Sequence, residues 1–334
     1  MTIAVIGAGA SGMMAALTAA EQPENKILLF ERQARVGRKL AVTGNGRCNL
    51  TNTGAAPENY HGAQPDFAAP ALAAFPPEAA LRWFAMGRSG GRRVLLTAAH
   101  HANEWITAPL LMRFAGELAA GVWPGALDDT RVWFTPLVNP DGVSLVTGQL
   151  ASGALYENAR RIAEQFPAVP FPGGWKANIR GVDLNLQYPA GWEEAKEIKY
   201  AAGWDRPAPR DYVGSAPLCA PESRALYRLT KRVSPDLVVA LHTQGRVIYW
   251  RYLDLEPPGA RRCGEALAAT SGYALEDTPY ASGYAGYKDW FILEYDRPGY
   301  TVECGEGENP LPYSDIDVIY PDVRALLAQA VLGC

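Results

Sequence analysis

Short apolar runs alternate with segments of helical periodicity along nearly the whole chain, and this alternation limits the fold more than any other feature. "IAVIG", "KILLFER", "RRVLLTAA", "RVWFTPLVNPDG", "DLVVALHTQG" and "GYTVECGEG" read as strands, the fourth running into a turn. "SGMMAALTAAEQ", "PPEAALRWFAMG", "EWITAPLLMRFAGELA", "ASGALYENARRIAEQF", "APESRALYRLTKRV", "GEALAATSGY" and "YPDVRALLAQAVL" read as helices between them. Apolar residues at period 3.6 between strand-length runs predict an α/β sheet with helices on both faces. "RGVDLNLQYP" reads as a strand end plus loop, and residues 188–220 as loop. Glycine and serine cluster in "FAMGRSGG", residues 84–91, which is the expected domain boundary. With 334 residues, the chain has room for two or three average domains or for one large α/β unit plus an appendage.

Several function classes fall away on composition. The net charge is −4 and there is no long basic run, which argues against a nucleic-acid partner. No apolar stretch approaches the ~18–20 residues needed to span a bilayer. The first apolar segment lacks a basic leader and carries glycines at turn spacing, so the cytoplasm is the expected location. The five cysteines are odd in number and scattered, without a CxxC pair, which predicts reduced thiols. The oligomeric state is left open.

Two of the four histidines stand side by side at His100 and His101, directly behind "RRVLLTAA". His101 and Glu104 form an H-x-x-E pair at a strand-to-helix junction, where residues three apart share a face and reach one ion. A catalytic zinc takes three protein ligands and keeps one position open. The third ligand has two candidates: His242, at the end of the apolar strand "DLVVAL", and His61, in a polar loop.

"AAHHANEWIT", "WKANIRGVDLNLQYPAGW", "ALHTQG" and "ASGYAGYKDWFI…RPGYTVECGEGENPLP" follow in order. With them, residues from about 84 to 334 resemble the M14 zinc carboxypeptidase family, in particular its branch of γ-D-glutamyl-L-diamino-acid peptidases. The resemblance implies a zinc-carboxypeptidase-like mixed sheet in a peptidase domain over 87–334. It implies zinc held by His101, Glu104 and His242, and Glu303 as general base. The implied substrate is a murein stem peptide, cut between γ-D-glutamate and meso-diaminopimelate. Tyr280, with Tyr284 and Tyr287 as neighbours, falls where the family has a mobile tyrosine over the substrate. Asn185 falls with the family's substrate-binding segment. Asp289 falls near the specificity pocket, where it either binds a free ammonium or ties the loop together. Lys176 stands where many members place an oxyanion-stabilising arginine, and Arg180 either compensates or is a solvated charge. Leu186 stands where carboxypeptidases clamp a terminal carboxylate with arginine. Lysine lacks the planar two-pronged donor and leucine lacks charge, so this pattern favours the γ-glutamyl branch.

"VIGAGASG" supplies Gly7, Gly9 and Gly12 in G-x-G-x-x-G spacing between a strand and a helix, with Glu31 about twenty residues on. Such glycines let a pyrophosphate approach a helix N-terminus, and the acid can hold a ribose hydroxyl. With "GRKLAVTGNGRCNLTN", residues 1–86 resemble the amino-terminal, partial Rossmann-like β-α-β piece of a bacterial family of FAD-binding, NAD(P)H-linked flavoproteins. The resemblance stops before the later strand that would close a flavin site. Weak or no FAD binding is therefore expected, and the chain reads as a junction of two truncated genes. Two alternatives stay beside the peptidase reading: a FAD-dependent oxidoreductase, or an inactive chimera with an open sheet edge.

Overall fold

The structure, a computed structural model, describes residues 2–6, 26–30, 85–88 and 90–334. The chain divides into two units, residues 1–83 and 84–334. In the first, β1 (Thr2–Ile6) and β2 (Lys26–Phe30) pair in parallel, from Thr2 opposite Lys26 to Ile6 opposite Phe30. A parallel pair needs a crossover connection rather than a hairpin. Gly7, Gly9, Gly12, Glu31 and His61 lie outside the described residues.

The second unit is built on a seven-stranded mixed sheet of order β3-β5-β4-β6-β9-β7-β8. Its strands are β3 (Ala85–Gly87), β4 (Arg92–Ala98), β5 (Thr130–Thr135), β6 (Leu237–His242), β7 (Val247–Tyr249), β8 (Ala274–Glu276) and β9 (Gly299–Glu303). The four central strands, β5, β4, β6 and β9, run parallel. β3 joins β5 antiparallel, β7 joins β9 antiparallel, and β8 pairs with β7 in parallel. Every residue of β6 is buried, as expected of a parallel strand covered on both faces and written as an unbroken apolar run.

The eight described α-helices are α1 (Thr107–Ala119), α2 (Pro140–Val146), α3 (Ala154–Ala163), α4 (Trp192–Ala201), α5 (Pro221–Val233), α6 (Ala260–Ser271), α7 (Tyr287–Tyr295) and α8 (Ile316–Leu332). On one face of the sheet, Val94, Leu96, Phe134, Val239, Leu241 and Val302 pack against Leu110 and Phe114 of α1, Leu267 of α6, and Val323 and Leu327 of α8. On the other face α7 presses onto β9 at Gly299. A Cβ there would lie 3.1 Å from the Phe291 ring and 3.2 Å from Val238, so glycine permits the approach. Thr230 of α5 meets the Tyr287 hydroxyl at 2.8 Å on the same side.

Five local expectations are corrected. Residues 85–87 of the proposed helix "PPEAALRWFAMG" form strand β3, because they pair with Arg131–Trp133 of β5. "NPDG" starts helix α2 instead of ending in a turn. Asn139 Oδ1 accepts the Gly142 N–H, and Pro140 fills the first helical position, where a missing N–H is harmless. "RGVDLNLQYP" contributes no strand; Asp183 caps a short turn over Leu184–Leu186. The stretch read as loop over 188–220 contains α4. Cys263 and Cys334, expected as free thiols, form a disulfide with Cα atoms 4.7 Å apart, because α6 packs beside the C-terminal helix α8. Cys219 and Cys304 are free.

Candidate metal centre and the cavity around it

Three strand ends supply the centre. The chain leaves β4 through Ala99 and His100 into a short turn, Ala102–Glu104, which His101 precedes as its N-cap. That turn holds the side chains of His101 and Glu104 on one side. β6 ends on His242 and β9 ends on Glu303, and these two residues are register partners on adjacent parallel strands. The C-terminal edge of a parallel sheet is where such ligand sites assemble.

His101, Glu104 and His242 are buried, and their ligand atoms all lie within 4.8 Å of one another. His101 Nδ1 is 2.8 Å from Glu104 Oε1, His242 Nδ1 is 2.8 Å from Glu104 Oε2, and the two Nδ1 atoms are 3.1 Å apart. Ligands about 2.0–2.1 Å from a tetrahedral zinc sit about 3.3 Å from each other, and these contacts, made to both Glu104 oxygens, are of that order. On the far side of the His101 ring, Nε2 donates to Asp183 Oδ1 at 3.1 Å. This bond fixes the tautomer that turns the Nδ1 lone pair inward, as carboxylate partners of metal-bound histidines do. Asp183 is itself held: Oδ1 accepts the Asn185 N–H and Oδ2 the Asp211 N–H. The donor set therefore fits a divalent zinc ion.

Burial, reinforced by His101, keeps the His242 imidazole below its usual pKa despite Glu104, and so neutral at physiological pH. Burial alone would lower His101, but Glu104 and Asp183 outweigh it and raise the ring to about 9. Burial would raise Glu104, yet His101, Lys176 and His242 hold it well below the ordinary carboxylate range. Burial, then the Glu104 charge, pushes Glu303 up to about 8. A bound cation would be the largest local charge and would draw His101 and Glu303 downward.

One cavity opens onto this cluster, and its lining includes His101, His242, Glu303, Lys176, Asn185 and Asp289. Leu186 also lines it. The Lys176 Nζ stands 3.5 Å from Glu104 Oε1, and although burial disfavours its charge, Glu104, Asp183 and Glu303 raise its pKa. Asn185 Oδ1 accepts the Tyr287 N–H at 2.9 Å, leaving Nδ2 to face other partners. Three expected residues are not among the lining: Glu104, which sits behind the two histidines, Arg180 and Tyr280. Arg180 is exposed and acts electrostatically on Asp141 and Glu222, away from the metal cluster. Tyr280 is 72% exposed, on the short turn between the lining residues Pro279 and Ser282.

Sequence reasoning gave no role to Asp183, Lys199, Asp211 or Lys288, although all four border the cavity. Asp183 had a signal: a histidine ligand needs an acceptor for its second N–H, and "GVDLN" offers a carboxylate. The lysines had none, because a lysine that folds inward looks like a solvated one.

Comparison with known proteins gives two matched regions. Residues 85–324 match the family model described as zinc carboxypeptidase, and residues 1–90 match that of the HI0933-like protein Rossmann domain. A γ-D-glutamyl-L-diamino acid endopeptidase 1 of Lysinibacillus sphaericus is 44% identical over 248 residues, covering 71% of this chain and 61% of that protein. This chain thus spans about three-fifths of the length of that relative. A 3-dehydro-bile acid Δ4,6-reductase of Clostridium scindens is 42% identical over 84 residues, 25% of this chain and 20% of the relative. Among solved structures, bovine thrombin-activatable fibrinolysis inhibitor in complex with tick carboxypeptidase inhibitor aligns with a TM-score of 0.54 at 18% identity. It covers 73% of this chain and 82% of that one, and speaks to fold alone.

Proposed function

Because the chain belongs to the zinc carboxypeptidase family, we propose that it is a zinc-dependent peptidase acting on murein-derived peptides, at the bond between γ-linked D-glutamate and meso-diaminopimelate. The observation that carries the reading is the meeting of His101, Glu104 and His242 within one ligand-sized triangle, with Glu303 in register beside His242. The similarity to a γ-D-glutamyl-L-diamino acid endopeptidase supports the substrate class. So does Leu186, which puts an uncharged side chain in the cavity wall at the expected position of a carboxylate clamp.

His101, Glu104 and His242 would hold the zinc. A zinc bound there would supply Lewis acidity, lowering the pKa of water and polarising the scissile carbonyl. Glu303, in register beside His242 at the strand end, takes the proton from the attacking water and delivers it to the departing amine. Lys176 places a positive charge beside the ligand cluster, where negative charge grows on the carbonyl oxygen. Its ammonium does this as a point charge and not as a fork. Asn185 offers its amide Nδ2 to the substrate, Asp289 borders the leaving residue, and Tyr280, exposed on the rim beside Tyr284, folds over an occupant.

Substituting Glu303→Gln tests the mechanism. The variant should keep its zinc, measured by elemental analysis, and lose at least about 100-fold in release of diaminopimelate from L-Ala-γ-D-Glu-meso-diaminopimelate. Wild-type turnover in that variant would remove Glu303 from the reaction.

A further inference from the structure

One charged cluster in the cavity wall has no part in the proposed hydrolysis. Lys199, in the last turn of α4, and Asp211 both line the cavity, with side chains 14% and 13% exposed. Lys199 Nζ donates to Asp211 Oδ1 at 2.8 Å, and Arg210 Nε donates to Oδ2 at 2.5 Å. The carboxylate is thus gripped on both oxygens. The backbone beneath it is uncommon. At Asp211 φ is +62°, in the left-handed region that residues with a Cβ seldom enter, although aspartate and asparagine do so more readily than most.

Residues 209–212 meet the metal centre at several points. The Asp211 N–H donates to Asp183 Oδ2 at 3.2 Å, and Asp183 gives its own N–H to the Tyr212 carbonyl at 2.9 Å. The Pro209 carbonyl accepts the N–H groups of Lys176 and Ala177, both at 2.8 Å. The Lys176 carbonyl in turn accepts the N–H of Ala102, inside the turn between His101 and Glu104, at 3.0 Å. One stretch outside any helix or strand therefore braces the partner of a metal ligand, the cationic helper and the ligand turn. A largely buried ion pair adds little net stability, because its charges lose about as much hydration as their attraction returns. What the grip of Lys199 and Arg210 on Asp211 does supply is a fixed backbone.

We infer that Asp211 is a positioning residue: its carboxylate, clamped by Lys199 and Arg210, keeps the left-handed backbone whose N–H holds Asp183 against His101. The inference rests on the metal-centre and peptidase reading above and adds to it what keeps the orienting carboxylate in place.

The test measures zinc affinity by competition with a fluorescent chelator, and the visible absorption of the cobalt-substituted chain, which reports the geometry of the ligands. Neither readout needs substrate. Asp211→Gly leaves the left-handed backbone accessible and deletes the clamp. It should bind zinc about tenfold more weakly than wild type and shift the cobalt band, as loss of groups that orient a ligand does. Asp211→Asn tolerates the same φ and keeps an oxygen for Lys199, so it should stay within about threefold of wild type. Three results would overturn the inference: Asp211→Gly within about threefold of wild type, an unmoved cobalt band in Asp211→Gly whatever its affinity, or Asp211→Asn as weak as Asp211→Gly. If Asp211→Gly does not fold, Lys199→Met takes its place under the same criteria. A wild type that binds no zinc would overturn the metal-centre reading and this inference together. A wild type that binds zinc but cuts no murein peptide would overturn the peptidase reading alone, and the zinc and cobalt measurements would still decide this one.

Discussion

Replacing Asp183 by asparagine tests how His101 is aimed at the metal. The wild-type carboxylate accepts on both oxygens, from His101 Nε2 at 3.1 Å and Asn185 N at 3.1 Å on Oδ1, and from Asp211 N at 3.2 Å on Oδ2. An asparagine has only one acceptor oxygen. If that oxygen stays with His101, the new amide N–H2 confronts the Asp211 N–H, and a buried donor left unsatisfied costs about 1–3 kcal/mol. If the amide flips, it donates to His101 Nε2 and forces the ring proton onto Nδ1, the atom needed for the metal. Both outcomes weaken the centre. Loss of such a partner costs about 10–100-fold in metal affinity, or about 1.4–2.7 kcal/mol. The assay is a zinc competition titration of Asp183→Asn and wild type against a fluorescent chelator at neutral pH. A variant that binds zinc as tightly as wild type, in a folded state, would refute the idea that Asp183 orients His101.

The remaining predictions are simpler. His242→Ala should lose bound metal by elemental analysis whereas His61→Ala should retain it, and the reverse would move the third ligand. Reducing the Cys263–Cys334 bond releases a loop with a sequence separation of 71 and should cost about 4 kcal/mol by the chain-entropy relation, seen as a lower melting temperature with reductant. Burial, aided by Asp141, raises the Glu222 pKa over the opposing effect of its hydrogen bond from Asn178. A carboxyl with a raised folded pKa binds more protons folded than unfolded, so its contribution falls as pH rises from the unfolded value, about 4.3, through the folded one. Glu222→Gln should therefore gain stability relative to wild type as pH rises above about 4.3 in urea unfolding, and a parallel pair of curves would count against this.

The parts of the fold legible in the sequence were those with long, one-sided or unbroken apolar patterns. β6 is written as a continuous apolar run and β4 and β9 carry shorter apolar cores, and each leads to a residue of the centre: His101, His242 or Glu303. α7 escaped notice because residues 287–292 are all buried, so "YKDWFI" shows no period of 3.6. β7 and β8 have three residues each, too few to display alternation. α4 is rich in helix formers but sits among Gly and Pro, whose turn signals dominate a local reading. The Cys263–Cys334 bond joins residues whose proximity follows only from the packing of two helices. Asp183 and Lys288 act through neighbours distant in sequence, and composition holds no trace of such partners.

Both outer strands of the seven-stranded sheet, β3 and β8, are three residues long. A rim that short offers a second copy almost no backbone to zip onto, which is one of the ways proteins guard against fibre growth. Association through this seven-stranded sheet would therefore have to be made by side chains on its helical or loop surfaces, and substitutions there, not in the ladder, would control it.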